Sequence, residues 1–376
     1  MADTADVVII GGGVIGCAIA YDLAGAGLKV ILLEQEAVGS GASSAAAGLI
    51  VPLHAAEEGE RTPLFELYLA SARRFPDLVA ELEEATGLRV DFDRSGPLRV
   101  AATEDEEELL RESFEAWERI EALTVEWVDG KTLREMEPEL APDVCCGVFS
   151  KDESRLHPGR FTRALACGAA QRGARIRTGC PALGVRQRNG RFEAVQTLDG
   201  EISARELIIA AGAWSRVPCA WFGVHVPIGP ARGQMVALRP PTRLLRHSLL
   251  SFNGAIHPAL DGTVHVGSTL ELVGFDTRTT AEGIATILGI LPRLLPALNP
   301  APVERVWAGL RPWCEDGLPA VGRLPGCEGA ILAGGHFKLG ILGSAITART
   351  VKTLVADGQV DPLIAPFTPQ RFAEGA

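Results

Sequence analysis

Three observations on this 376-residue sequence predict a mixed α/β fold. The β-branched run Val7–Val8–Ile9–Ile10 opens the chain, meets a glycine-rich turn and passes into an alanine-rich helix. Apolar runs of the same kind return at Val30–Leu33, Leu207–Ala210 and Ala330–Ala333, the signature of a parallel sheet buried on both faces. Between them, Gln234–Leu238 and Thr263–Gly267 alternate like strands of an antiparallel sheet. The expected architecture is a Rossmann-like domain with a parallel sheet, joined to a second domain built on a large, mainly antiparallel sheet.

The first element carries the most chemistry. Gly11, Gly13 and Gly16 stand in G-x-G-x-x-G spacing with Val14 and Ile15 between the last two. Gly11 permits the tight turn, Gly13 lets backbone approach a pyrophosphate, and Gly16 lets the helix lie close to the strand. The helix N-terminus then offers its amides to the phosphates. The helix runs through Tyr21 to Ala26, with Gly27 free to take a left-handed cap. After the second strand come Glu34 and Gln35, about 20 residues past Gly13, where a carboxylate accepts hydrogen bonds from ribose hydroxyls. A phosphate on that ribose would be repelled, so the expected ligand is FAD or NAD and not NADP. The segment Val38–Ile50, with Ala42, Ser43, Ala47, Gly48 and Leu49, has almost no bulk and lets backbone lie against a flat ligand.

Farther along, Pro63–Thr86 reads as one amphipathic helix despite Pro76, and Gly87 stops it. Leu88–Phe92, Leu98–Ala101 and Val125–Val128 read as strands around an acidic helix, Glu104–Leu123, whose first turn complements its own dipole. His157 precedes the helix Phe161–Arg172 as a structural cap, the strand Ala174–Arg177 follows, and another helix is expected over Ala281–Leu295. The last helix, Ile341–Val355, opens from the glycine-rich turn Gly334–Gly343. The boundaries expected are a discontinuous cofactor domain (residues 1–86, 149–222 and 304–376) and a substrate domain (87–148 and 223–303).

A formal net charge of −11 with no compact basic run argues against nucleic acid and anionic membranes. The first strand begins so early that no signal peptide is expected, and no long uncharged apolar stretch occurs, so a cytoplasmic location without stable membrane insertion is expected. The eight cysteines form no C-x-x-C pair and imply no metal site.

Several of these stretches resemble one family. Glu34 followed by G-S-G-A-S-S-A-A-A-G-L, then A-A-G-A-W-S at residues 210–215, then W-A-G-L-R-P (307–312) with D-G-L-P-A-V-G (316–322), and G-H-F-K-L-G-I-L (335–342) are similar to motifs of the D-amino-acid oxidase superfamily, closest to glycine oxidases. The resemblance implies non-covalent FAD and oxidation of glycine or a D-amino acid, with oxygen as acceptor. It implies cofactor contacts from Ala182, Gly212, Trp214, His336, Phe337, Lys338, Leu339, Gly340, Ile341 and Leu342 besides those above. Arg311 would clamp the α-carboxylate with its planar fork. Lys338, where the family has arginine, would add positive charge beside the carboxylate or the flavin. Leu49, His54 and Ala255 complete the expected pocket, with His336 orienting backbone. Where the family reads Y-I-V-P, this chain reads Ala255–Ile256–His257–Pro258, so an aromatic wall is missing and larger apolar D-amino acids are expected to outcompete glycine. Alternatives are a glycine oxidase of the thiamine-biosynthesis type, a dehydrogenase passing electrons to a quinone or carrier, and an NAD-binding sensor. A homo-oligomer is compatible with all of them.

Overall fold

The computed structural model describes residues 3–56 and 60–373. Strand β1 (Asp3–Ile10) is the centre of an eight-stranded sheet. It pairs in parallel with β2 (Val30–Leu33) on one side and with Gly200–Ile209 on the other, and Arg175–Arg177 and Ala330–Gly334 extend the parallel set. The strand Ala320–Arg323 closes one edge antiparallel. Alternation along β1 explains its uniform apolarity: Val7 and Ile9 enter one core, while Val8 and Ile10 enter another on the opposite face. Helix α1 (Val14–Gly25) packs into the first core with the helices Pro158–Gln171 and Gly340–Asp357.

The second sheet also has eight strands and is antiparallel except where Ser248–Ser251 meets Pro97–Ala101. Its longest ladder pairs Ile228–Leu238 with Val303–Cys314. That second strand begins close to the expected boundary at 304 and runs on along the antiparallel sheet.

Four expectations need correction. Pro63–Thr86 is two helices, Pro63–Ala72 and Phe75–Thr86, because the ring of Pro76 excludes the carbonyl of Ala72 four residues earlier. The same relation between Pro292 and Leu288 divides Ala281–Leu295 into Ala281–Leu288 and Leu291–Leu294. Leu88–Phe92 is no strand, since Asp91 takes a left-handed φ of 56° and accepts from Arg160. The acidic helix ends at Glu118, and its N-cap is Thr103, whose hydroxyl accepts from the Glu106 amide. The cap expected at His157 is present: its side chain accepts from the Arg160 amide. One segment, Phe337–Asp357, is long and apolar enough to cross a membrane, but 67% of its apolar window is packed inside the protein.

Candidate active site

The two sheets face each other across a cleft of about 1450 Å³, larger than the roughly 300–1,000 Å³ that suffices for a drug-sized ligand. Gly11, Gly13, Val14 and Ile15 line one end at the N-terminus of α1. Gly11 has φ 111°, and a Cβ there would collide with the carbonyl of Ala210. The Val14 amide donates to Ser43 Oγ at 2.9 Å, joining the helix start to the small-residue segment. Glu34 lies beside the turn, its Oε2 accepting from the Gly12 amide at 2.7 Å and its Oε1 from the Glu36 amide at 2.8 Å. Gln35, Ala42, Ala47, Gly48, Leu49, Ala182, Gly212 and Trp214 continue the lining.

The far wall is the turn before the last helix. His336, Phe337, Lys338, Leu339, Gly340 and Ile341 all reach the cleft. The short turn Phe337–Leu339 leads directly into a helix of 18 residues with no acidic side chain in its first turn, so its N-terminal amides keep their positive end toward this wall. Phe337 is held at φ 49°, a conformation uncommon for a bulky residue. His336 is buried between Tyr68 Oη (3.2 Å from Nδ1) and Thr347 Oγ1 (3.1 Å from Nε2), and burial pushes its imidazole down to about 4. It braces the turn from behind.

Arg311 projects from Val303–Cys314 into the middle of the cleft. Its Nη1 donates to the Thr269 carbonyl at 3.1 Å and its Nη2 to Ser268 Oγ at 2.5 Å. Among the described residues it makes no ion pair, and desolvation lowers its pKa. The two acids that follow it in sequence pair elsewhere, Glu315 with Arg216 at 3.8 Å and Asp316 with Arg371 at 2.7 Å. Lys338 opens into the same cleft, its pKa lowered by desolvation and then by the charge of Arg311. The cleft therefore presents two cations with no carboxylate paired to either among the described residues.

His54 lines the cleft from the short turn Pro52–Ala55, whose other residues are buried while it is exposed. Desolvation, then the charges of Arg99 and Lys338, lower its pKa. The turn is tied down by Glu153, which is fully buried. Its Oε1 accepts from the Leu53 amide at 3.0 Å while both oxygens hold Arg99, at 2.6 and 3.0 Å. Ala255 lines the cleft from the strand Gly254–Pro258.

Two of the expected cofactor residues lie behind the cleft wall. Gly16 packs against the carbonyl of Gly11, where any Cβ would clash, and so serves helix packing as its motif position implies. Leu342 is fully buried in the core, and its carbonyl accepts from Ser71. Sequence reasoning missed Gly233, Ser268 and Thr269, which surround the Arg311 guanidinium. A glycine inside an otherwise strand-like run was the available signal for Gly233. Trp307, whose Nε1 donates to the Ala45 carbonyl at 3.1 Å, and His257 were also not assigned roles.

The residues fit a flavin dinucleotide. Ala45 to Gly48 bring no side chain larger than methyl, and a Cβ at Gly309 would lie 2.5 Å from that of Ala45, so the floor is kept flat by residue choice.

A family model described as "DAO: FAD dependent oxidoreductase" matches residues 6–354. Glycine oxidase from Geobacillus kaustophilus is 33% identical over 96% of this chain and 96% of its own length. Its crystal structure superposes with a TM-score of 0.92, at 32% identity, covering 98% of this chain and 99% of that one. The bifunctional protein ThiO/ThiG of Synechocystis is 35% identical over 99% of this chain, which spans 55% of that longer protein.

Proposed function

The chain belongs to the DAO family of FAD-dependent oxidoreductases, and from that membership we propose that it oxidatively deaminates glycine or a D-amino acid. The observation that carries the substrate class is Arg311, a desolvated guanidinium without a carboxylate partner in the cleft centre. A planar fork in that state suits a free α-carboxylate, and the glycine oxidases similar to this chain support the same class.

When bound, FAD supplies the acceptor for the hydride leaving Cα and passes both electrons to oxygen, giving hydrogen peroxide, while water converts the imino acid to 2-oxo acid and ammonia. Arg311 fixes two atoms of the substrate and thereby the face that Cα–H presents. Lys338 adds a second positive charge within the cleft. The positive end of the last helix favours negative charge developing on the ligand beside it. Glu34 and the α1 N-terminus hold the dinucleotide end. FAD is dissociable and the protein cytoplasmic in this reading.

The test is anaerobic mixing of the purified yellow protein with glycine and with D-alanine, followed by oxygen uptake. Bleaching of the flavin band and peroxide formation are expected. Bleaching without oxygen uptake would replace the oxidase with a dehydrogenase, and no bleaching by these or any other D-amino acid would remove amino-acid oxidation.

A further inference from the structure

Resting on that reading of the cleft, we propose that His257 and His54 form a subsite selecting amino acids whose side chain ends in an uncharged hydrogen-bonding group, a hydroxyl or a carboxamide. His257 stands two residues beyond Ala255 on the strand Gly254–Pro258, so the two side chains leave the same face of the sheet, and both line the cleft. Ala255 leaves room beside that face. His257 is only 3% exposed, yet its Nδ1 has no hydrogen-bond partner among the described residues. An apolar residue would fill a purely structural position without that unmet polar atom. With Nδ1 enclosed, Nε2 is the ring nitrogen left to meet a ligand. A proton on Nε2 leaves a lone pair on the enclosed atom and offers the cleft an N–H donor.

His54, on the turn Pro52–Ala55, brings a second imidazole to the same cleft. Burial pushes the His257 ring down to about 3, and desolvation with the charges of Arg99 and Lys338 lowers the pKa of His54, which is exposed at the cleft, so neutral rings each offer one donor and one acceptor. The cations beside them are largely spent: Arg155 is paired with Asp93 and Arg99 with Glu153. A basic side chain meets Arg311 and Lys338, an acidic one competes with the α-carboxylate for those two cations, and an apolar one strips water from two imidazoles without replacing it. A hydroxyl or carboxamide satisfies both rings.

The test uses isosteric pairs, D-serine against D-2-aminobutyrate and D-asparagine against D-leucine, with kcat/KM and anaerobic flavin reduction read for each. The polar member is expected to lead by about tenfold or more. His257→Leu should bring the ratio close to one, and His257→Gln, which keeps a donor near Nε2, should retain most of it. If His257→Leu does not fold, His54→Leu reads the same ratio from the exposed side. In fully reduced, anaerobic protein carrying 15N-histidine, D-serine should shift the His257 Nε2 resonance and D-2-aminobutyrate should not. Flavin reduction with equal rates within each pair, or a ratio unmoved in either leucine variant, overturns the subsite and leaves amine oxidation standing. Absence of flavin reduction by every amino acid overturns the functional reading, and the subsite falls with it.

Discussion

The guanidinium of Arg311 occupies the space that a side chain on Gly233 would need. The two lie on neighbouring strands, with Gly233 opposite Gly309 and Arg311 opposite Ala231, so the arginine crosses diagonally over the glycine on the cleft face. Even one methyl group would force the guanidinium off Ser268 and Thr269. Gly233→Ala is therefore expected to raise KM strongly and lower kcat, while FAD content by absorbance stays near wild type. Unchanged kinetics would show that the carboxylate is held elsewhere.

Direct removal should resemble that displacement. Arg311→Ala is expected to cost about 2–4 kcal/mol in kcat/KM, with KM raised and kcat lowered together, because the same contact aims Cα–H. Lys338→Met should weaken substrate binding less and shift the flavin midpoint potential downward, as loss of a nearby positive charge disfavours the reduced anion. Steady-state kinetics and a potentiometric titration separate the two roles.

The relation between Gly233 and Arg311 marks the limit of what could be read without coordinates. The glycine turn, Glu34 and the segment from Ala42 to Leu49 are local, and their spacing states their purpose. The arginine was legible as a motif residue, but its freedom was not. Whether Arg311 pairs with Asp316 depends on where Arg371 lands, 55 residues later in the chain. The broken helices had a visible cause in Pro76 and Pro292, whereas Leu88–Phe92 alternates like a strand and fails because Asp91 turns left-handed to meet Arg160, a contact no period reveals. His257 reads as one polar residue in an apolar strand, and only its orphaned Nδ1 sets it apart.

Stability should depend on the ion pair beneath His54. Glu153→Gln leaves Arg99, 7% exposed, without its carboxylate, which is expected to cost about 3–5 kcal/mol in chemical denaturation. Glu153→Ala, which also removes the acceptor of the Leu53 amide, should loosen the turn carrying His54, seen as faster amide exchange at residues 53–55.

Acid should unfold the protein through its buried histidines. His257 and His336 are pushed down to about 3 and about 4, below the unfolded value of about 6.5. Between those values the unfolded chain binds more protons, so stability is full above about pH 6.5 and falls as pH drops toward 4. Melting temperatures in that window should report uptake of about two protons from this pair on unfolding. His336→Gln should flatten the slope by about one proton, and an unchanged slope would mean other groups carry it. His54 faces the open cleft and adds less.

The wall and floor of the cleft are stitched to each other. Trp307 of the antiparallel sheet donates to the Ala45 carbonyl, Trp313 bridges to His336, and Arg155 donates to the carbonyl of Pro258. A hinge motion that opened the cleft would have to break the two tryptophan attachments, and the third ties the antiparallel sheet to the short ribbon of Leu49–Ile50 and Ser154–Arg155. The molecule is thus built as a fixed die rather than a jaw: what it accepts is set by the outline already cut into it, and a better-fitting substrate gains nothing by bending the frame.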